Sequence, residues 1–239
     1  MKFLAIDTAN EYLCVVAYND GKTACAFLPN CTMRHSTQIM AQVEKALAEC
    51  DLTLSECDFF AAVVGAGSFT GIRIGVSAAK GLAWAKELPC AAVSTLEAMA
   101  QNLAHMEDFV IVCAMDARRN QVYNALFHEQ NGSLQRLCED RAVALSVVAE
   151  DLKNEARKKI IVGDGAVLCY NYLTQSGISC TLAPESLRMQ DAVGVCLCAH
   201  TAAQQELLIS SAELQPVYLR LSQAERERLE KEHQTKGNE

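Results

Sequence analysis

One pattern occurs twice in this 239-residue chain. A short apolar run ends at an aspartate, a strand follows, an Asn/Asp-Gly turn reverses the chain, and a further strand returns. In the first copy these are Lys2 to Ile6, Asp7, Tyr12 to Tyr18, Asn19-Asp20-Gly21 and Thr23 to Leu28. In the second they are Phe109 to Met115, Asp116, Gln121 to His128, Asn131-Gly132 and Leu134 to Cys138. Asp-Gly and Asn-Gly tolerate the positive φ of a tight hairpin. Two unrelated hairpins are the bland alternative, but the matching aspartates favour duplication, and repeats outrank single residues as evidence of architecture. The expectation is an α/β chain of two lobes, each a mixed sheet flanked by helices, with a cleft between them. Residues 1–105 would form the first lobe, 106–222 the second, and 223–239 a charged, solvated tail.

Between the repeats, the apolar period of Ile39, Val43 and Leu47, widened by Met40 and Ala46, predicts a helix over Thr32 to Cys50. Phe59 to Val64 is apolar without alternation, the mark of a strand covered on both faces. A glycine-rich loop from Gly65 leads into a helix over Thr70 to Lys86, then a strand over Cys90 to Val93. Ser94 with Glu97 reads as an N-cap pair, and Ser55 with Asp58 as a capping pair for a short turn. The second half continues with a helix over Ser146 to Glu155, a strand over Lys159 to Val162, the loop Gly163-Asp164-Gly165, a helix, a strand near Ser179 to Leu182 and a helix over Ala192 to Leu208.

Composition narrows the partners. A net charge of −8 makes a poor grip for nucleic acid, whose phosphates attract basic surfaces. The opening MKFLAIDTAN reaches Asp7 after four apolar residues, too early for a signal-peptide core, so a cytoplasmic location is expected, with no membrane contact. The 12 cysteines include no C-x-x-C, and Cys196 and Cys198 are the one close pair. They read as reduced thiols in a reducing compartment.

Few residues announce chemistry. Gly65, Gly67, Ser68, Thr70 and Gly71 lie between a strand and a helix N-terminus, a context that suits anions. The segment lacks the Gly-Lys-Ser/Thr of a P-loop and misses G-x-G-x-x-G by one residue, so a tight turn is the stronger reading. Asp7 with Thr8, and Asp116, end buried strands. There they could hold a magnesium-bound water or simply cap turns. His35 would need a second histidine four residues on to make a helical metal pair, and that position is Ile39. No nucleophile elbow is present. Gly71, Gly75, Ala78, Ala79 and Ala83 leave one flank of the second helix without bulk, so another helix could approach closely. Packing inside the chain and an exposed face for a partner both remain open.

LAIDTA near the start, His35-Ser36, GAGSFTGIRIG, AKGLA at Ala79 to Ala83, VSTLEA at Val93 to Ala98, DAR at Asp116 to Arg118 followed by Val122-Tyr123, GDG at Gly163 to Gly165 and PVYLR at Pro216 to Arg220 resemble, in order, the TsaB (YeaZ) family. The family form has proline at the position of Ala66. The resemblance implies the actin-like ATPase (ASKHA) fold and a non-catalytic role in making N6-threonylcarbamoyladenosine (t6A) in tRNA. It also implies pairing with the paralogous transferase subunit TsaD through N-terminal helices, with the ATPase TsaE joining. It further implies a homodimer when the chain is alone, with tRNA met only through the complex. No catalytic or metal residue and no tightly bound cofactor is implied, and ATP or ADP could bind at an interface with partner subunits. Carried onto this chain, the partner-binding residues would be His35, Ile39, Met40, Val43, Leu47, Ile72, Val76, Ala79, Lys80 and Ala83. An independent ATPase or small-molecule kinase, and a metallopeptidase, are the rival readings.

Overall fold

The computed structural model describes residues 1–130 and 133–220. The Asn131-Gly132 turn and the tail 223–239 lie outside the described residues. Strands β1 (Lys2–Asp7), β2 (Leu13–Asn19) and β3 (Lys22–Leu28) form an antiparallel meander, and β4 (Phe59–Gly65) and β5 (Cys90–Ser94) add to it in parallel, in the order β3-β2-β1-β4-β5. Asp20 and Gly21 both have positive φ, as a two-residue hairpin turn requires. Helix α1 (His35–Glu49) crosses from β3 to β4, and α2 (Phe69–Lys86) from β4 to β5. A short helix, α3 (Thr95–Gln101), follows β5 and is capped by Ser94, whose hydroxyl accepts from Glu97 N at 3.2 Å, as the sequence signals.

The second half repeats this plan. Strands β6 (Phe109–Asp116), β7 (Gln121–Gln130), β8 (Ser133–Ala144), β9 (Lys158–Val162) and β10 (Thr181–Leu182) assemble in the order β8-β7-β6-β9-β10. Helices α4 (Leu145–Leu152) and α5 (Ala166–Gln175) take the places of α1 and α2, and α6 (Ala192–Gln204) that of α3. Asp7 sits opposite Cys14 and Asp116 opposite Val122, each at the last rung of its ladder. The sequence repeat is thus a repeat of topology.

The two halves interlock. α3 precedes the second sheet but packs on it: its Leu96, Met99 and Ala100, with Leu103 just beyond, join Ile111, Cys113 and Phe127 in one core. Conversely, Val195, Cys196, Cys198 and Ala199 of α6 join the core of the first sheet. The helices touch so closely that a Cβ on Gly194 would meet Ala98 O at 2.1 Å. Burying a Leu or Met contributes about 2 kcal/mol each, so the exchange ties lobe to lobe. A charged clamp adds to it, since Arg136 of β8 reaches both Glu97 (2.8 Å) and Asp140 (2.5 Å) and stacks over Phe127.

Boundaries differ where local chemistry was misread. α1 starts at His35, not Thr32, because the chain first turns through Cys31 to Arg34. The capping box falls on Thr53 and Glu56 rather than Ser55 and Asp58. β8 runs to Ala144, beyond Cys138, with register shifts near Leu126. α6 stops at Gln204, since Glu206 takes a left-handed conformation. Among the described residues, no helix is long and apolar enough to cross a membrane.

Candidate functional site

A cleft of about 640 Å³ opens between the lobes, walled by Asn10, Gly67 and Ser68 on one side and by Asp116, Arg118, Tyr123 and Asp164 on the other. Its two aspartates at the strand ends are used alike. Asp7 Oδ1 accepts from Ala9 N at 2.9 Å, and Asp116 Oδ1 accepts from Arg118 N at 2.7 Å, so each closes the same local turn. Their exposure differs. Asp116 is exposed and lines the cleft, whereas Asp7 is 1% exposed. Burial pushes the Asp7 carboxyl above its ordinary range, against the hydrogen bonds from Ala9, Tyr12 and Gln190. Tyr12 Oη lies 3.1 Å from both Asp7 Oδ2 and the Gln190 carbonyl, linking the first lobe to the segment before α6. Asp164 Oδ1 accepts from Asp116 N at 2.8 Å, and burial raises its carboxyl too.

The glycine loop serves close packing. A Cβ on Gly67 would meet Ala9 O at 2.5 Å, one on Gly71 would meet Thr8 O at 2.1 Å, and one on Gly75 would meet Thr8 Oγ1 at 2.4 Å. Gly65 is pressed in the same way by Val217 O at 2.6 Å. Several of the loop's hydrogen-bonding groups are engaged by the chain itself. Ser68 N donates to Ala9 O, Gly71 N to Ser68 Oγ, and Thr8 Oγ1 to Gly71 O at 2.6 Å. Of the candidate nucleotide residues, Gly67 and Ser68 line the cleft and Thr70 is exposed on the first turn of α2. Asp7, Thr8, Gly65 and Gly71 are buried behind it. The sequence reading missed Tyr12, Gln190, Arg119 and Arg220. Arg220 enters the cleft because the C-terminal segment straps back over the first lobe. There Val217 N donates to Val64 O, Cys90 bridges Ile209, and the Arg220 guanidinium reaches the Ala117 carbonyl. Only PVYLR, a motif without a local chemical signature, hinted at it.

The expected partner surface needs correction. Ile39, Val43 and Leu47 of α1 and Ile72, Val76, Ala79 and Ala83 of α2 are each at most 6% exposed, inside the core of their own lobe. A helix lying on a sheet turns its most continuous apolar stripe inward, so that stripe is spent before any partner arrives. His35 is buried too, a ring nitrogen 2.9 Å from the Tyr12 carbonyl. Its imidazole fastens α1 to β2, and with Ile39 one turn on these residues do not fit a metal ion. The Lys80 ammonium is held by the carbonyls of Ala212 and Leu214. Only Met40, 44% exposed, stays outward. On α2, Arg73, Ser77, Gly81 and Trp84 face solvent, with Ile74, Ala78 and Leu82 half-buried between. Arg73 stacks 3.9 Å over Phe69, whose ring lies 4.6 Å from Tyr218.

The chain was compared with known proteins. Residues 26–226 match the family model "TsaD: tRNA N6-adenosine threonylcarbamoyltransferase". The tRNA threonylcarbamoyladenosine biosynthesis protein TsaB of Bacillus subtilis is 36% identical over 163 residues, 68% of this chain and 71% of that protein. TsaB of Escherichia coli is 32% identical over 222 residues, 92% of this chain and 95% of that protein. The chain belongs to the TsaB (YeaZ) family. The tRNA N6-adenosine threonylcarbamoyltransferase of Treponema pallidum is 26% identical over 180 residues, 67% of this chain and 48% of that protein. A Pseudomonas aeruginosa crystal structure, described as similar to peptidase YEAZ, superposes with a TM-score of 0.80 at 25% identity, covering 92% of this chain and 99% of that one. The two-sheet architecture is therefore shared with that protein over nearly its whole length.

Proposed function

We propose that this chain is a non-catalytic partner subunit in t6A biosynthesis, pairing with a TsaD-like transferase and joined by a TsaE-like ATPase. The observation that carries the reading is near-complete coverage, at 32% identity, of a relative named for that biosynthesis, against 26% identity over 48% of a transferase. Two features of the chain support it. The buried Asp7 and the self-engaged glycine loop leave the first lobe's half of the cleft occupied with its own packing. The outward faces of α1 and α2 combine large apolar side chains, Met40 and Trp84, with small residues, Ser77 and Gly81, that would let another helix approach closely. The partner surface is therefore the outer strip, not the inner stripe, and two copies would use it when no paralogue is present. ATP or ADP would be held with partner residues at the cleft, where Ser68, Asp116 and Arg118 are available. tRNA would be reached through the complex, in keeping with the net charge of −8. The working compartment would be the cytoplasm.

Reconstitution tests this. t6A formation on unmodified tRNA should require both this chain and its TsaD-like paralogue, and this chain alone should give none. Transfer by the isolated chain would refute the assignment. The rival reading, an independent ATPase or kinase, draws on the open cleft with Asp116 and Asp164. Steady ATP turnover by the purified chain would favour it.

A further inference from the structure

We propose that Cys14 and Cys25 are a peroxide-responsive thiol pair that closes to an intramolecular disulfide across β2 and β3. Cys14 pairs with Phe27 and Cys25 with Val16 in the ladder, so the two cysteines sit diagonally on one face of adjacent strands. Their sulfurs are 3.3 Å apart. Among the described residues, this is the pair whose thiols meet. Closing to the roughly 2 Å of a disulfide brings the sulfurs about an ångström nearer, and a diagonal pair also asks the two strands to shift toward each other.

The two thiols are unequal. Cys14 is 2% exposed, while Cys25 is half-buried on an edge strand and open to a small oxidant. The contact with Cys14 holds the Cys25 thiol below its ordinary range, and the same contact, with burial, raises Cys14. Thiolate character and access select the site of oxidation. Burial raises the thiols of Cys57, Cys90, Cys113, Cys169 and Cys198, which makes them poorer nucleophiles at neutral pH.

The chemistry balances with hydrogen peroxide as oxidant. The Cys25 thiolate attacks one peroxide oxygen, the O–O bond breaks, and hydroxide leaves, giving a sulfenic acid. The Cys14 thiol then displaces that hydroxyl as water, and the S–S bond forms. Overall, two thiols and one peroxide give one disulfide and two waters. The bond would join the edge strand to the strand that follows Tyr12, whose hydroxyl lies between Asp7 and Gln190. Oxidation would therefore register beside the junction of the lobes.

The full-length chain should be treated with hydrogen peroxide, its remaining thiols blocked with N-ethylmaleimide, and its peptides mapped by mass spectrometry without reduction. The expected result is one dominant cross-link joining the Cys14 and Cys25 peptides, removed by dithiothreitol. Cys25→Ser should abolish the link in a variant that still folds, as its melting curve checks. The proposal is overturned if both cysteines stay free to alkylate after peroxide. It also falls if links form mainly between other cysteines, or if Cys25 passes to sulfinic acid with no link to Cys14.

Discussion

Two glycines of α2 separate packing inside the lobe from the face left for a partner. A Cβ at Gly75 would lie 2.4 Å from Thr8 Oγ1 and 3.5 Å from Ile6 Cγ2, while one at Gly81 meets nothing within 4 Å. Both sit inside a helix, where alanine is favoured over glycine by about 1 kcal/mol. Gly81→Ala should realise that gain, about 2–4 °C in melting temperature for a chain of this size. Gly75→Ala gains the same propensity but must displace Thr8, whose hydroxyl donates to Gly71 O at 2.6 Å in a buried setting. Overpacking costs about 1–3 kcal/mol and the lost hydrogen bond about another 1 kcal/mol. The net is a loss of about 1–3 kcal/mol, or roughly 3–10 °C. Thermal unfolding of the two variants beside the parent gives the answer. If Gly75→Ala proves as stable as Gly81→Ala, the close approach of α2 to Thr8 is not what selects glycine there, and the packing account of the loop fails.

Three further outcomes are expected. Ala79→Asp places a charge at a position with no exposure and should unfold the first lobe rather than merely uncouple a partner, visible as lost helical circular dichroism at 25 °C. Arg136→Met leaves Glu97 and Asp140 without their cation and should cost about 1–3 kcal/mol in urea unfolding, with most of that loss absent in the Glu97→Gln, Asp140→Asn background. Asp7 carries a pKa above its unfolded value of 3.8, so the folded state holds its proton more tightly. Its contribution is therefore greatest at acid pH and declines as pH rises through the folded pKa, and Asp7→Asn should flatten stability measured from about pH 4 to about pH 7.

Much of this architecture was legible because it rests on local rules. The Asp20-Gly21 turn, the Ser94 cap and the unbroken apolar run at Phe59 announce themselves in any fold. The duplicated plan was visible through two strand-terminal aspartates. What could not be read was which helix face points where. Ile39, Val43 and Leu47 mark a stripe but not its orientation, and only the sheet beneath decides that the stripe is consumed internally. Exchange of α3 and α6 was hidden for the same reason: Leu96 and Met99 look like core residues of whichever lobe lies nearest in sequence. The roles of Tyr12 and Gln190 depend on a contact across 178 residues, which no local spacing encodes.

The central claim is that α1 and α2 offer their outer strip to a TsaD-like paralogue while the inner stripe holds the lobe together. Its most direct test is the dissociation constant of that pair, measured for the parent chain and for Gly81→Arg, whose new side chain starts in open space. The account predicts a loss of at least about 2 kcal/mol, roughly thirty-fold in Kd, with the melting temperature of the variant undiminished. Parental affinity in a folded Gly81→Arg protein would contradict it.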